Sequence, residues 1–369
     1  MSVLQIVFLI LAVLALVLAL VFGVFRVKRV PAAPAPVAIA EPEPRAATAP
    51  AAAATEQESS AELNARFEAI RHLQWLALGS DDSAPTSIDP ADEDIASKVR
   101  WLLSTITDKP NYVPRRPLLL PKLVQAMNND DVSRRELARI IASDPALTVS
   151  LLRLANSPFY RITSAPIESL DRAVALLGIE GMRSLVAAAL MQPVFRITSS
   201  GFLNFSDIAW RHTLSSAAAA EAHAVMLESS DPFVAQLLSL IMGVATIVVF
   251  RVTLDEYQSH GLPPQPRILT TLIESQVAPV ARQIASSWQL SERVNVALAD
   301  QDAPHGAKIS SLGRSVQFGR FLGALAVLHE LNVIDDAAIN SALNTAGSLA
   351  SAYQRIWARR LTLQSETKI

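Results

Sequence analysis

Apolar side chains recur at helical spacing along most of the chain, and the clearest example lies between residues 143 and 160. In this segment Leu147, Leu151 and Leu154 stand at positions i, i+4 and i+7, so they share one face of a helix. A continuous apolar face of this kind packs against neighbouring elements in a globular domain. We therefore expect Leu151, in the middle of the stripe, to lie in the hydrophobic core.

Both ends of this helix are marked in the sequence. Asp144 is a favourable N-cap, and Pro145 suits the first helical position, where its missing N–H leaves no hydrogen bond unmade. At the other end Asn156 tolerates the left-handed conformation that closes many helices, and Pro158 prevents the helix from continuing. The segment is thus predicted to form one short, capped helix.

The same periodicity predicts helices in most of the remaining chain. They cover residues 61–78, 90–106, 121–127, 133–142, 169–177, 181–191, 206–227, 232–252, 268–288, 292–299, 311–331 and 335–361. In the first of them, the predicted buried face consists of Leu63, Phe67, Ile70 and Leu73. The helix over 232–252 is almost wholly apolar, but charged residues flank it closely. We therefore expect it to be a buried central helix rather than a membrane span.

The composition agrees with a fold made of helices. Of the 369 residues, 51% are hydrophobic and only 6% aromatic, and alanine and leucine dominate, which favours an all-α, multi-helical fold. The net charge of −2 gives no reason to expect a nucleic-acid partner. The absence of cysteine excludes disulfides, thiolate catalysis and zinc–thiolate sites.

The first part of the chain has the pattern of a membrane anchor. Residues 3–25 contain no charged side chain, and a helix of that length reaches roughly 34 Å, enough to cross the core of a bilayer. Arg26, Lys28 and Arg29 follow directly, so the positive-inside rule places the C-terminal side in the cytoplasm. A cleaved signal peptide is the alternative, but the segment lacks a basic amino-terminal region. We predict a single-pass protein of the cytoplasmic (inner) membrane.

Changes in composition divide the chain into five predicted parts. These are a transmembrane anchor (1–26), a Pro/Ala-rich linker (27–60), a helical lead-in (61–110), the main helical domain (111–305) and a C-terminal helical extension (306–369). The linker has too few apolar side chains of any size to bury a core, so we expect it to act as an extended tether.

Two runs in the main domain follow one another at the spacing of a known family: SDPALTVSLLRLANSPFY, and then ESLDRAVALLGIEGMRSLV. They resemble the HDOD family, the HD-related output domain, over roughly residues 117–304. The resemblance implies a multi-helical fold related to the HD superfamily. Members of that superfamily hydrolyse phosphoesters with one or two metal ions, which histidine and aspartate side chains hold.

The resemblance also indicates where such metal ligands would stand. The residues at those positions are His212, Met242-Gly243 in place of a His-Asp pair, Val277, Gln301-Asp302 in place of a His-His pair, and Arg320. No His-Asp or His-His dipeptide occurs among the six histidines of the chain. The resemblance therefore implies no metal site, no catalytic residue and no cofactor, and it assigns no ligand-binding residue. His212 by itself is interpreted as a packed, hydrogen-bonded helix residue.

The function predicted from this resemblance is a non-enzymatic, membrane-tethered signalling or regulatory module that acts by binding a protein partner. The sequence names neither the partner nor the oligomeric state. One alternative is a divergent HD-superfamily metal-dependent phosphohydrolase. Another is a sensor of a nucleotide second messenger, which could use the arginines between residues 115 and 183. Acidic residues interleave with those arginines, so solvated helix faces are the simpler interpretation.

The predicted topology can be tested with a reporter fused after Ile369. We expect activity from a reporter that works only in the cytoplasm, because the basic cluster lies on the C-terminal side of the apolar segment. Activity of a strictly periplasmic reporter at the same position would contradict the predicted orientation.

Overall fold

Helices make up almost all of the chain that the computed structural model describes. The described residues are 60–79, 89–109, 111–112, 141–142, 145–157, 160, 163, 165–195, 202–304 and 306–365, and no strand occurs among them. The predicted anchor, nearly all of the predicted linker and the predicted helix 121–127 lie outside this set. So do most of the predicted helix 133–142 and the expected helix-end residues Asp144 and Pro158. Those expectations stay predictions.

The described helices belong to one compact unit, residues 56–369. They are α1 Ser60–Leu78, α2 Pro90–Ser104, α3 Pro145–Ala155, α4 Leu170–Met191, α5 Phe205–His223, α6 Pro232–Ser259, α7 Pro266–Ser287, α8 Glu292–Ala299, α9 Ser311–Glu330, α10 Asp336–Asn344 and α11 Ala350–Ser365. The all-α fold predicted from the sequence is confirmed. Short 3-10 turns link several of these helices, and a π-helical turn, Ala224–Glu228, extends α5.

The apolar helix α6 lies at the centre of the core. It packs against α2, α4, α5, α7 and α9, and almost every side chain from Phe233 to Val252 is buried. In length and composition α6 is also the described helix that could cross a membrane. Its burial by protein on all sides explains the apolar sequence without a bilayer, so the predicted central helix is confirmed.

Local sequence signals set several helix ends as predicted. Asp89 caps α2 by accepting a hydrogen bond from the N–H of Ala91, at 2.9 Å, and Pro90 occupies the first turn. Ser169 caps α4 by accepting a bond from the N–H of Arg172 at 3.2 Å. Inside α4, Gly178 has φ +70°, which breaks the helix where the sequence predicted an end.

The single long helix predicted for residues 335–361 is wrong. The segment forms α10 and α11, separated by the 3-10 turn Gly347–Leu349. Gly347 has φ +55°, a left-handed conformation that interrupts the helix and that glycine adopts without strain. The apolar periodicity continues across the break, so it did not reveal the turn.

The end of α3 differs from the expectation for Asn156. Outside glycine, left-handed backbone among the described residues occurs at Ser229, Gln289 and Asn332. Asn156 acts through its side chain instead. Its Nδ2 donates to the carbonyl oxygens of Leu152 and Ile167, each at 2.8 Å, and its Oδ1 accepts from the N–H of Ile167 at 2.7 Å. The amide thus fastens the loop before α4 to the end of α3.

The predicted buried face of α1 is wrong at Phe67, whereas Leu73 is buried and Ile70 is partly buried as expected. Phe67 is 63% exposed, whereas Arg66 beside it is buried. Arg66 donates to Glu62 at 2.6 Å and to the hydroxyl oxygen of Tyr353 in α11 at 3.2 Å. A charged pair can occupy buried positions when its hydrogen bonds are satisfied, and here α11 supplies a third partner. The face toward the core therefore runs through Glu62, Arg66, Ala69 and Leu73.

The apolar stripe of α3 is buried as the sequence predicted, with Leu151 fully inaccessible. We expect Leu151→Ala to lower the free energy of unfolding by about 2–5 kcal/mol, because transfer energy is lost and a cavity is left. Val149, which is 58% exposed on the same helix, provides the matched control. In denaturant unfolding Val149→Ala should change stability by less than about 0.5 kcal/mol. Equal effects of the two variants would contradict the packing.

Candidate functional site

A cavity of about 60 Å³ lies between α1, α5, α6, α7 and α9. Its lining includes His212, Met242, Gly243, Val277 and Arg320, all singled out by the family resemblance. These residues come from four helices and are up to 108 positions apart in sequence, the separation of His212 from Arg320. The fold therefore brings the aligned positions together around one space.

His212 is hydrogen-bonded across the boundary between two helices. Its Nε2 lies 3.0 Å from the carbonyl oxygen of Arg320, and since a carbonyl only accepts, Nε2 carries the hydrogen. Burial lowers the pKa of His212 to about 4, although the bond to the carbonyl opposes that shift. The imidazole is therefore neutral near pH 7 and ties α5 to α9. This agrees with the interpretation of His212 as a packed helix residue.

At the position of the expected His-Asp pair, α6 presents a thioether and a glycine. Met242 is buried, and a thioether is a poor ligand for a hard divalent cation. At Gly243 a Cβ atom would lie 2.2 Å from Oγ1 and 2.5 Å from Cγ2 of Thr213 in α5. The two helices approach so closely here that an aspartate at this position would overlap Thr213.

Asp302 interacts electrostatically with two arginines, Arg282 and the cavity-lining Arg320. Its Oδ2 is 3.7 Å from Nη1 of Arg282. Burial raises the pKa of the Asp302 carboxyl, and the positive charges of Arg282 and Arg320 counteract this shift. Burial likewise lowers the pKa of Arg320, opposed by Asp302. The side-chain amide nitrogen of Gln301 donates hydrogen bonds to the carbonyl oxygens of Ala297 and Gly313.

The residues around the cavity do not fit the divalent metal of the HD superfamily. Across the part of the chain that the structure describes, no three histidine, aspartate or glutamate side chains are grouped closely enough to hold a metal ion. The aligned positions that line the cavity carry a hydrogen-bonded imidazole, a thioether, a glycine, a valine and a guanidinium, and none of the last four provides an oxygen or imidazole ligand. The carboxylate of the aligned Asp302 does not line the cavity and lies 3.7 Å from Arg282.

Two polar side chains on the cavity wall were not identified from the sequence. Oε1 of Gln74 and Oγ of Ser216 are buried and have no hydrogen-bond partner among the described residues. Ser216 lies one helical turn after His212 on α5, so helical spacing alone would have placed it on the same face. Gln74 comes from α1, far away in sequence, and only the tertiary structure places it here.

Three of the arginines considered for an anionic messenger lie on the described helices α3 and α4. Arg153 and Arg172 are exposed on α3 and α4. Arg183 is partly buried on α4. The remaining arginines of that group, at positions 115, 116, 134, 135, 139 and 161, lie outside the described residues.

Comparison with known proteins identifies one family. The model of the HDOD domain matches residues 113–304. No curated protein matches the chain.

Several solved structures resemble the chain at low identity and with TM-scores below 0.5. A protein of Shewanella amazonensis, provisionally named a phosphohydrolase, is 19% identical, with 73% of this chain and 97% of that one covered and a TM-score of 0.48. An HDOD domain protein of unknown function from Geobacter sulfurreducens is 19% identical, with 80% and 99% covered and a TM-score of 0.43. A provisionally named signal transduction protein from Marinobacter aquaeolei is 15% identical, with 84% and 65% covered and a TM-score of 0.45. At this level of similarity their names carry nothing over to the present chain.

The close contact between Gly243 and Thr213 predicts that substitutions at these two positions have non-additive effects on stability. Gly243→Ala should destabilise the protein by about 1–3 kcal/mol, because the new methyl group overlaps Thr213, and this outweighs a gain of up to about 1 kcal/mol in helix propensity. In a Thr213→Ala background the same change should be less destabilising. Denaturant unfolding of the two single variants and the double variant measures the coupling. Strict additivity would show that the two side chains do not meet.

The lowered pKa of His212 predicts a loss of stability in acid. The unfolded state takes up a proton near pH 6.5 and the folded state only near pH 4, so stability falls as pH decreases between these values. Each unit of pKa difference corresponds to about 1.4 kcal/mol. His223, whose pKa is also lowered to about 4 by burial, adds a contribution of the same sign. In unfolding measurements from pH 7 to pH 4, His212→Gln should give a shallower slope.

The exposed His260 serves as the control for that measurement. His260→Gln should change the slope less than His212→Gln does. If stability falls with decreasing pH as steeply in His212→Gln as in the unaltered protein, the conclusion that His212 is buried in its neutral form is wrong.

Proposed function

The chain belongs to the HDOD domain family, and we propose that it is a non-enzymatic signalling module that acts through a protein partner at the membrane. The observation that carries this proposal is the cavity at the aligned metal positions, where Gly243 is closed by Thr213 and Arg320 contributes a positive charge. The phosphohydrolase alternative requires that space to hold a metal ion, whereas a nucleotide sensor could use the arginines between residues 115 and 183 instead.

Metal-dependent hydrolysis of a phosphoester needs a bound cation, because the metal lowers the pKa of the attacking water and offsets charge on the phosphate. A guanidinium at Arg320 repels such a cation. His212 uses its Nε2 hydrogen for the Arg320 carbonyl, and Met242 and Val277 are apolar. These features argue against the phosphohydrolase alternative.

The second alternative, a nucleotide sensor, is not favoured by the size of the cavity. A cavity of about 60 Å³ has room for only a small group of atoms. A cyclic dinucleotide is many times larger. A nucleotide would therefore have to bind elsewhere on the protein.

The membrane part of the proposal rests on the sequence. The uncharged segment 3–25 and the Pro/Ala-rich residues after it have the composition of an anchor and a tether. A flexible tether of about 30 residues reaches roughly 30 Å, so the helical domain would stay near the membrane surface and meet partners there.

Metal content and hydrolysis test the proposal directly. The purified protein should contain no stoichiometric manganese, iron or magnesium, and it should not hydrolyse a cyclic dinucleotide when any of these metals is added. His212→Ala should then behave like the unaltered protein in the same assay, provided that it folds. Metal-dependent hydrolysis that His212→Ala abolishes would overturn the non-enzymatic assignment.

The interaction itself is tested by crosslinking in cells and recovery of the protein from membranes. A partner captured by the full chain should be lost or much reduced when residues 1–26 are deleted, since the deletion removes the predicted anchor but leaves the helical domain. Equal capture by both proteins would contradict a role that depends on the membrane.

A further inference from the structure

Arg320 places an unbalanced positive charge at the cavity between α1, α5, α6, α7 and α9. Its guanidinium makes no hydrogen bond with the described residues, and no described carboxylate lies within the 4.0 Å of an ion pair. Asp302 is the acidic group that influences Arg320, and it is closer to Arg282. Because His212 is neutral, the charged groups here are Arg320, Arg282 and Asp302, which together carry two positive charges and one negative charge. A partly buried arginine in this situation is stabilised by an anion.

The cavity wall also holds polar atoms that lack partners. Oγ of Ser216 is buried without a hydrogen-bond partner among the described residues, and Ser216 as a whole is only 2% exposed. Gln74, whose Oε1 is equally unpartnered, carries an amide that can turn to present its N–H groups. Buried polar groups are almost always hydrogen-bonded in folded proteins, so these atoms point to an occupant with acceptor oxygens.

Ser216 of α5 and Arg320 of α9 line the same cavity. Gly323 stands one turn after Arg320 on α9, and a Cβ atom there would lie 2.3 Å from Oγ of Ser216. The hydroxyl is thus held next to the turn that carries the guanidinium. By contrast, the hydroxyls of Thr213 and Thr246 are used up by carbonyls of their own helices.

The geometry points to this cavity as a binding site for a small oxyanion, such as inorganic phosphate or a short carboxylate, held by Arg320 and Ser216. The volume of about 60 Å³ is small and suits a small ion rather than a large ligand. A guanidinium offers parallel N–H donors that match the oxygens of a phosphate or a carboxylate.

This inference rests on the proposed loss of metal chemistry. Where the HD superfamily would hold a cation that attracts phosphate, this chain carries a cationic side chain. The site would then retain an affinity for anions without the ability to activate water. Binding of an anion would link α9 to α5 and would favour the folded state by mass action.

The test uses the full chain purified in detergent, in a buffer free of phosphate and sulfate and containing EDTA. Inorganic phosphate is titrated at constant ionic strength, with acetate in a parallel series, and the unfolding midpoint is recorded. We expect a saturable rise with at least one of the two anions. The anion with the lower half-saturation concentration shows whether the site prefers a phosphate group or a carboxylate group.

Variants at the site must change this response. Arg320→Gln should raise the half-saturation concentration at least tenfold, and Ser216→Ala should raise it to a smaller extent. Arg320→Lys keeps the charge and should retain a weaker response. Arg293→Gln is the matched control, because Arg293 is exposed and pairs with Asp231 at 3.1 Å, away from the cavity. It should respond like the unaltered protein.

The absence of a saturable rise with both anions would overturn the inference, as would an equal response in Arg320→Gln. If Arg320→Gln does not fold, Arg320→Lys and Ser216→Ala decide the result. Failure here is distinguishable from failure of the proposed function. Metal-dependent hydrolysis would overturn the non-enzymatic assignment, whereas a missing anion response without hydrolysis would overturn only the oxyanion site.

Discussion

The close approach of α5 to its neighbours is the contact on which the rest of the structure depends. On one side α9 presents Gly319 and Gly323, and a methyl group at either position would lie within 2.5 Å of Ser216. On the other side α6 presents Gly243 to Thr213. Because these glycines have no side chain, the three backbones come nearer than larger residues would permit. The dense core around α6 follows from this spacing.

The same spacing determines the chemistry of the cavity. With α5 and α9 this close, Nε2 of His212 reaches the carbonyl oxygen of Arg320 and is fixed as a neutral donor. With α5 and α6 this close, position 243 has no room for a carboxylate. The packing that stabilises the domain therefore leaves no room for the aspartate of a His-Asp pair at position 243, and the guanidinium of Arg320 lines the same cavity.

Buried polar groups connect the outer helices to this centre. Arg66 and Glu62 of α1 meet the hydroxyl of Tyr353 in α11, and the ring of Tyr353 contacts Phe318 of α9, with ring centroids 4.3 Å apart. His223 stacks on Phe318 and hydrogen-bonds to Ser315. A buried ion pair contributes little net stability, but removal of one partner leaves an uncompensated charge. The network thus fixes where α1 and α11 dock more than it drives folding.

The sequence by itself determined the helices, several of their ends and the central position of α6, because caps, glycine breaks and apolar periodicity act within a few residues. The family resemblance also selected the positions that surround the cavity. Only the tertiary structure decided that Arg66 is buried while Phe67 is exposed, that Asn156 acts through its side chain, and that Gln74 lines the same cavity as His212. These outcomes depend on partners far away in sequence, such as Tyr353 for Arg66. A local pattern carries no information about which distant group will satisfy a buried polar atom.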